Sequence, residues 1–525
     1  MCFKEYRWKL PIFLFNNNFQ FIHVQIHNMR LLFPFLFITS LAFSQKTPTL
    51  DQKIKAFDAY VEASRKQWDV PGLALTIVKN GKVIFKKGYG VKELGKSDAV
   101  NTETLFSCAS TTKAMTAVCM GILVDEGKVK WNDPVSKYLP EYQLYDPYVT
   151  RELRVRDLFL HNSGVGNADF VWGIMDIPVN EILLKMRDVK PSYSFRSGFI
   201  YQNIFYIAAG EVIKKISGKP WEVFVQERIF TPLNMTRAVP MRKYIKDDNQ
   251  TKPHLKIENV ITVIPYTKDD NIGPAGSVWA SIDDMSKWVV CMLDSSKYNG
   301  GRLLKKETWS EMFKPQTIVS DNEFYPTQQI TKPNWKTYGL GWFQHDYKGR
   351  KLNFHTGSLA GLTAINAQIQ EDNIGFYIFE NYDHAELRHA LMYKSLDMFA
   401  LGGDRDWSTE FFKLYSGLRE KGLKAEKDFE SKRVLNTKPS LSLEAYAGKY
   451  SDPLYGNVEI TLAGDRLNLN INNFMKASVE HWNYDTFRGW IDERERSKVN
   501  VSFVLTPGGK VGKVNLDGLE FARVL

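Results

Sequence analysis

Strand-forming sequence stands at both ends of residues 50–400, and helix-forming sequence fills the middle. Near the start, Leu73-Ala74-Leu75-Thr76-Ile77-Val78 is an apolar, β-branched run. Lys79-Asn80-Gly81-Lys82 follows as a turn, and Val83-Ile84-Phe85 as the return strand. Strand character comes back within 353–383, at Thr363–Ile369 and Ile374–Phe379. Strand backbones must pair, so these distant segments are expected to share one sheet, with a helical insert between them. A helix is expected over 51–68, where Ile54, Phe57, Tyr60 and Val61 recur at helical spacing and Pro71-Gly72 ends the run. A long apolar helix is expected over 110–126, closed by Gly127, and residues 130–300 read as helices broken by Pro and Gly. The fold class that follows is mixed α/β (α+β), an antiparallel sheet flanked by helices plus an all-α region.

Residues 404–440 are charged and helical and end in a polar stretch, Asn436 to Ser440, a linker by composition. From Leu441 the chain changes to short strands separated by Gly and Asn turns: Val458–Leu462, Arg466–Ile471, Val499–Leu505 and Lys513–Leu516. Residues 441–525 therefore read as a small all-β domain behind a main domain at 45–403. A chain of 525 residues buries enough apolar surface to need no disulfide or metal. Its four cysteines, Cys2, Cys108, Cys119 and Cys291, match no zinc spacing. Cys108 and Cys119 sit in apolar surroundings and read as core residues. His384 and His389 are five apart with no third ligand beside them.

The net charge is +10, but no Lys/Arg run tracks a nucleic acid and the signs alternate, as on a solvated surface. Residues 1–44 read as a leader. Within 29–44, Met29-Arg30 precedes the apolar Leu31–Phe43, and Ala42-Phe43-Ser44 offers a small-residue cleavage site, the order of a secretory signal. The apolar part is shorter than the roughly 20 residues of a membrane span. The mature chain is thus expected in the periplasm or medium, with no stable membrane span.

Three short motifs carry the chemistry. Ser110-Thr111-Thr112-Lys113 lies where strand-like Thr104–Phe106 gives way to a helix. Unsatisfied N–H groups and the helix dipole there favour negative charge, and a neutralised Lys113 on nearly the same face can take the serine's proton. Tyr201-Gln202-Asn203 precedes the apolar run Ile204–Ile213. A loop tyrosine can serve as acid or base, and Asn203 can hold an amide. His355-Thr356-Gly357-Ser358 lies on or beside a strand. Gly357 would let a substrate approach the backbone, and the N–H groups of Ser358 and Ser110 would make an oxyanion hole. Each motif alone has a structural alternative, namely a capping serine, a packing tyrosine or a core histidine.

In this order the three resemble the serine β-lactamase and penicillin-binding protein superfamily, in its class C-like branch with D-Ala-D-Ala carboxypeptidases, D-aminopeptidases and β-lactamase-like esterases. The surrounding text is similar too: Asp133-Pro134 to Pro140, Leu160-His161-Asn162-Ser163-Gly164, Gly210-Glu211 to Pro220, and Pro274-Ala275-Gly276-Ser277. The resemblance implies a β-lactamase/DD-peptidase-like fold, acylation of Ser110, and proton transfer shared by Lys113 and Tyr201, with the base undecided between them. It implies substrate binding by Asn203, His355, Thr356, Gly357 and Ser358, with no cofactor and no metal. His355 stands where many members carry lysine, which tells against strong β-lactam hydrolysis. Tyr446-Ala447-Gly448-Lys449-Tyr450, Pro453–Gly456 and His481–Phe487 resemble an accessory β domain fused behind such hydrolases. That domain reads as a packing module, or as a lid over the cleft.

The function expected is an exported acyl-enzyme hydrolase cleaving an amide or ester of a small-molecule or peptide substrate derived from the cell wall. An esterase or transacylase and a non-catalytic sensor on the same fold are the alternatives. No nucleic-acid partner is expected, and the oligomeric state is left open.

Overall fold

A computed structural model describes residues 48–257, 259–383, 386–491 and 498–524. The leader, with its expected signal at 29–44, lies outside the described residues.

Helix α1 (Leu50–Gln67) starts at a capping box between Thr49 and Gln52. The central sheet has eight strands: β1 (Gly72–Lys79), β2 (Lys82–Gly90), β3 (Thr317–Ile318), β4 (Lys336–Gly339), β5 (Trp342–Tyr347), β6 (Arg350–Leu359), β7 (Leu362–Ile369) and β8 (Ile374–Glu380). Their spatial order is β2-β1-β8-β7-β6-β5-β4-β3. β1 pairs antiparallel with β8, Leu75 opposite Ile378, which joins the two ends of the domain as the sequence requires.

Both faces of the central strands β1, β7 and β8 are covered, so these strands are buried along nearly their whole length instead of alternating. Leu73, Leu75 and Ile77 join Phe376 and Ile378 in a core with Phe57 and Val61 of α1 and with Leu391 of α5 (Leu387–Leu396). Ala74 and Val78 turn the other way with Tyr377 and Phe379, towards Trp288 and Val289 of α4 (Ile282–Leu293). On that second side lies the helical region, centred on α2 (Thr112–Asp125) and α3 (Ile204–Ser217). Every residue of α2 from Thr112 to Leu123 is buried, the signature of a helix enclosed on all sides. Among the described residues no helix is long and apolar enough to cross a membrane, and no group of His, Cys, Asp and Glu is arranged to hold a metal.

Helix α6 (Trp407–Ser431) leads to a closed eight-stranded barrel over 448–523, the small all-β domain. Alternate residues point inwards, Val458, Ile460, Leu467, Leu469, Val501 and Phe503 among them, as a barrel of this size requires to fill its interior. Four barrel strands, Gly448–Asp452, Met475–Asn483, Thr486–Ile491 and Leu519–Arg523, go beyond those expected. The barrel rests on the helical region. Tyr455 meets Phe170 edge-on at 6.3 Å, Asn472 Nδ2 donates to the Ile174 carbonyl at 3.1 Å, and Lys185 donates to the Pro453 carbonyl.

Phe57 is fully buried and meets Phe85 and Phe399 edge-on, at 5.6 and 5.4 Å. Phe57→Ala is expected to destabilise the main domain by about 3–5 kcal/mol, read as a lower midpoint in thermal unfolding. An unchanged midpoint would mean that α1 does not contribute to the core.

Candidate active site

The turn before α2 is built by a left-handed residue. A short strand, Phe106–Ser107, pairs with Trp279–Ala280. At Ala109 the backbone then swings to φ +43°, a conformation costing a non-glycine residue about 1 kcal/mol and found disproportionately at functional sites. Ser107 Oγ accepts the Ala109 N–H at 3.1 Å, and Thr111 Oγ1 donates to the Cys108 carbonyl at 2.8 Å. Thr111 also bonds the Tyr377 hydroxyl. Ser110 therefore sits half-buried in a 3₁₀ turn, Ala109–Thr111, ahead of α2. The helix expected from residue 110 begins at Thr112, because the left-handed Ala109 tightens the entry.

Lys113, one turn along, is completely buried. Its Nζ lies 3.1 Å from Ser110 Oγ, 2.6 Å from Asn203 Oδ1 and 2.9 Å from the Ala275 carbonyl. The rings of Tyr201 and Tyr206 lie 4.8 and 5.2 Å from it. Burial draws its pKa down to about 7, against the opposing charge of Asp169. The Ala275 carbonyl reaches it because Pro274 packs against Gly210 of α3, where a Cβ would fall 2.3 Å from the proline ring. Thr116 Oγ1 donates to the Pro274 carbonyl at 2.6 Å and holds the turn from the other side.

Tyr201 is half-buried with its hydroxyl towards Ser110, and burial holds the phenol well above its ordinary pKa. His161 packs on the Tyr201 ring, centroids 4.4 Å apart. Its Nδ1 accepts the Gln202 N–H at 3.0 Å, which leaves the proton on Nε2, and burial keeps the ring neutral. Asn203 is pinned at both ends. Its Oδ1 faces Lys113 and its Nδ2 donates to Asp169 Oδ2 at 2.9 Å.

The third motif lies on β6. The ladder to β5 ends at Phe354, while pairing with β7 runs to Leu359. One edge of His355–Leu359 thus has no strand partner among the described residues. Gly357 approaches the serine's own turn: a Cβ there would fall 2.2 Å from the Cys108 carbonyl and 3.1 Å from Ser110 N. A close approach was expected at this glycine, with a substrate as the neighbour; in the structure the neighbour is the turn that carries Ser110. His355 is buried, its Nε2 2.9 Å from the Tyr338 hydroxyl, and burial lowers its pKa to about 3. Thr356 and Ser358 turn to the opposite face of the strand. Thr356 Oγ1 bonds Tyr325 at 2.5 Å, and Ser358 Oγ accepts from Arg388 at 3.0 Å. Cys108, Cys119 and Cys291 are buried free thiols.

A family model described as beta-lactamase matches residues 57–396, which spans all three motifs. The chain belongs to the beta-lactamase family. A domain of unknown function, DUF3471, matches 432–524, the barrel. An unguisins hydrolase from Aspergillus violaceofuscus is 25% identical over 86% of each chain. Protein flp from Staphylococcus aureus is 23% identical over 62% of each. Among solved structures, an octameric penicillin-binding protein homologue from Pyrococcus abyssi aligns with TM-score 0.57 and 21% identity, covering 89% of this chain and 99% of its own. SurE aligns with TM-score 0.56 and 17% identity, covering 91% of this chain and all of its own. The beta-lactamase fold is thus carried by chains of very different sequence.

Asp169, the Ala275 carbonyl and Tyr338 escape a reading of the sequence. Asp169 leaves one faint signal, an acid set in the apolar stretch Val165–Trp172.

Gly357→Ala is expected to push the Ser110 turn away and lower the rate of covalent labelling by an activated ester about 100-fold, with the circular-dichroism spectrum retained. Labelling at the wild-type rate would show that the turn tolerates the added methyl.

Proposed function

We propose that this chain is an exported serine hydrolase that forms an acyl-enzyme on Ser110 and cleaves an amide or ester. The observation that carries the reading is the neighbourhood of Lys113. Two of its three polar contacts, Asn203 Oδ1 and the Ala275 carbonyl, only accept hydrogen bonds. A neutral amine donates to both and is left with a lone pair for the third contact, the Ser110 hydroxyl. With its pKa drawn to about 7, Lys113 is available as that base near neutral pH.

In this mechanism Ser110 Oγ attacks the carbonyl carbon as its proton passes to Lys113. The N–H groups of Ser110 and Ser358 stabilise the oxyanion. The leaving nitrogen or oxygen takes a proton from Tyr201, whose raised pKa makes it a donor rather than a base, and Lys113 restores that proton. Water then attacks the acyl carbonyl as Lys113 takes its proton, and that proton returns to Ser110 Oγ as the acyl group leaves. Export rests on the order of charge, apolar run and small residues at 29–44. An amide of an amino acid is favoured by SurE, which has a structure with D-Leu; a relative named unguisins hydrolase supports hydrolysis.

The esterase or transacylase reading is favoured by His355. Held neutral and bonded to Tyr338, it offers no charge to a substrate carboxylate at the position where many relatives carry lysine.

The test is intact-mass analysis of residues 45–525 incubated with a penicillin and, separately, a small activated ester, followed by peptide mapping. An adduct on Ser110 that is absent from Ser110→Ala, with turnover lowered at least about 1000-fold, is expected. An adduct elsewhere, or unchanged turnover in Ser110→Ala, would overturn the proposal; ligand binding without any adduct would favour the sensor.

A further inference from the structure

Asp169 precedes the short helix Phe170–Gly173, yet its side chain makes no capping bond to that helix. The carboxylate turns into the protein instead and is 1% exposed. Its Oδ1 accepts from Trp172 Nε1 at 2.9 Å and from the Asn203 N–H at 3.3 Å. Its Oδ2 accepts from Asn203 Nδ2 at 2.9 Å. Every contact is with an N–H donor, which favours the ionised form, while burial raises the carboxyl's pKa against those bonds and the charge of Lys113.

This arrangement dictates how Asn203 sits. With Nδ2 on the carboxylate, Oδ1 must face Lys113; the flipped amide would set oxygen against carboxylate and NH₂ against the lysine. The loop is also braced from outside, by Tyr455 against Phe170 and by Asn472 on the Ile174 carbonyl.

The other titratable groups around Lys113 carry no charge. Tyr201 and Tyr206 are held protonated by burial, and His161 and His355 are held neutral by burial and by Lys113 itself. Asp169 is the buried charge that opposes the desolvation of Lys113.

We propose that Asp169 is a positioning residue for acylation: through the Asn203 amide its carboxylate orients the hydrogen bonds of Lys113, and its charge sets the pH at which Lys113 becomes a free base. This rests on the acyl-enzyme reading above. The removal of a negative charge destabilises the protonated lysine, so Asp169→Asn must move the Lys113 titration to lower pH, whereas a merely structural role would lower stability and leave it in place.

The experiment is a ¹³C NMR titration of the folded full chain labelled at lysine Cε, the Lys113 signal being assigned by its loss in Lys113→Met. The midpoint is expected to fall by about one pH unit or more in Asp169→Asn and to stay near wild type in Asp169→Glu. The acid limb of Ser110 acylation should shift with it. An unchanged or raised midpoint in Asp169→Asn overturns the proposal. Should that variant not fold, the reciprocal measurement serves, because coupling acts on both groups. The Asp169 carboxyl, followed at ¹³Cγ, is expected to titrate at higher pH in Lys113→Met than in wild type, and an unmoved value overturns the proposal equally. Coupled titrations with no adduct on Ser110 would uphold the pairing and overturn the acyl-enzyme reading.

Discussion

The burial of one lysine amine organises this molecule. An ammonium taken out of water is costly unless it is paired or neutralised, and Lys113 is surrounded by what makes either state tolerable. Two fixed acceptors, two aromatic faces and a serine hydroxyl are in contact with it, and a carboxylate stands one residue further away, behind Asn203. Much of the helical region exists to hold these groups. Gly210 admits Pro274 so that the Ala275 carbonyl can reach the amine, and the enclosed α2 carries the lysine itself.

The sheet contributes the opposing wall. Because β5 stops pairing at Phe354, the backbone of His355–Leu359 is left without a strand partner among the described residues on one side while β7 anchors it on the other. Gly357 then lets this strand touch the turn that holds Ser110. The left-handed Ala109 and the missing side chain at residue 357 are complementary: bulk on the glycine would enter the space that the turn occupies. The barrel lies outside this arrangement, yet it packs on the loop that carries Asp169, which gives the accessory domain a physical link to the chemistry.

What the sequence discloses depends on how local the cause is. The fold class follows from the apolar runs at 73–78 and 363–379, and the strand Arg466–Ile471 is legible to the residue because its apolar positions alternate. The strand Trp342–Tyr347 is hidden because buried polar side chains interrupt its pattern. Gln344 bonds the Phe313 carbonyl and Asn353, and His345 bonds Tyr393. In the site, Ser110 and Lys113 are legible as a pair one helical turn apart. Asp169 is not, since an acid before a short helix reads as a cap and its true partner, Asn203, lies far along the chain. The roles of Thr356 and Ser358 are obscured for a similar reason: alternation along β6 sends their side chains to Tyr325 and Arg388 on the far face.

On the proposed reading Lys113, its pKa drawn down by burial, is the base that activates Ser110. The most direct measurement is the pre-steady-state rate of Ser110 acylation by a non-titrating ester from pH 5 to 10. A single limb is expected, centred near the Lys113 pKa of about 7, with the rate falling tenfold per pH unit below it and level above it. A rate independent of pH across that range, or one that rises only near the ordinary pKa of tyrosine at about 10, would contradict the account and take the proton from Ser110 by another route.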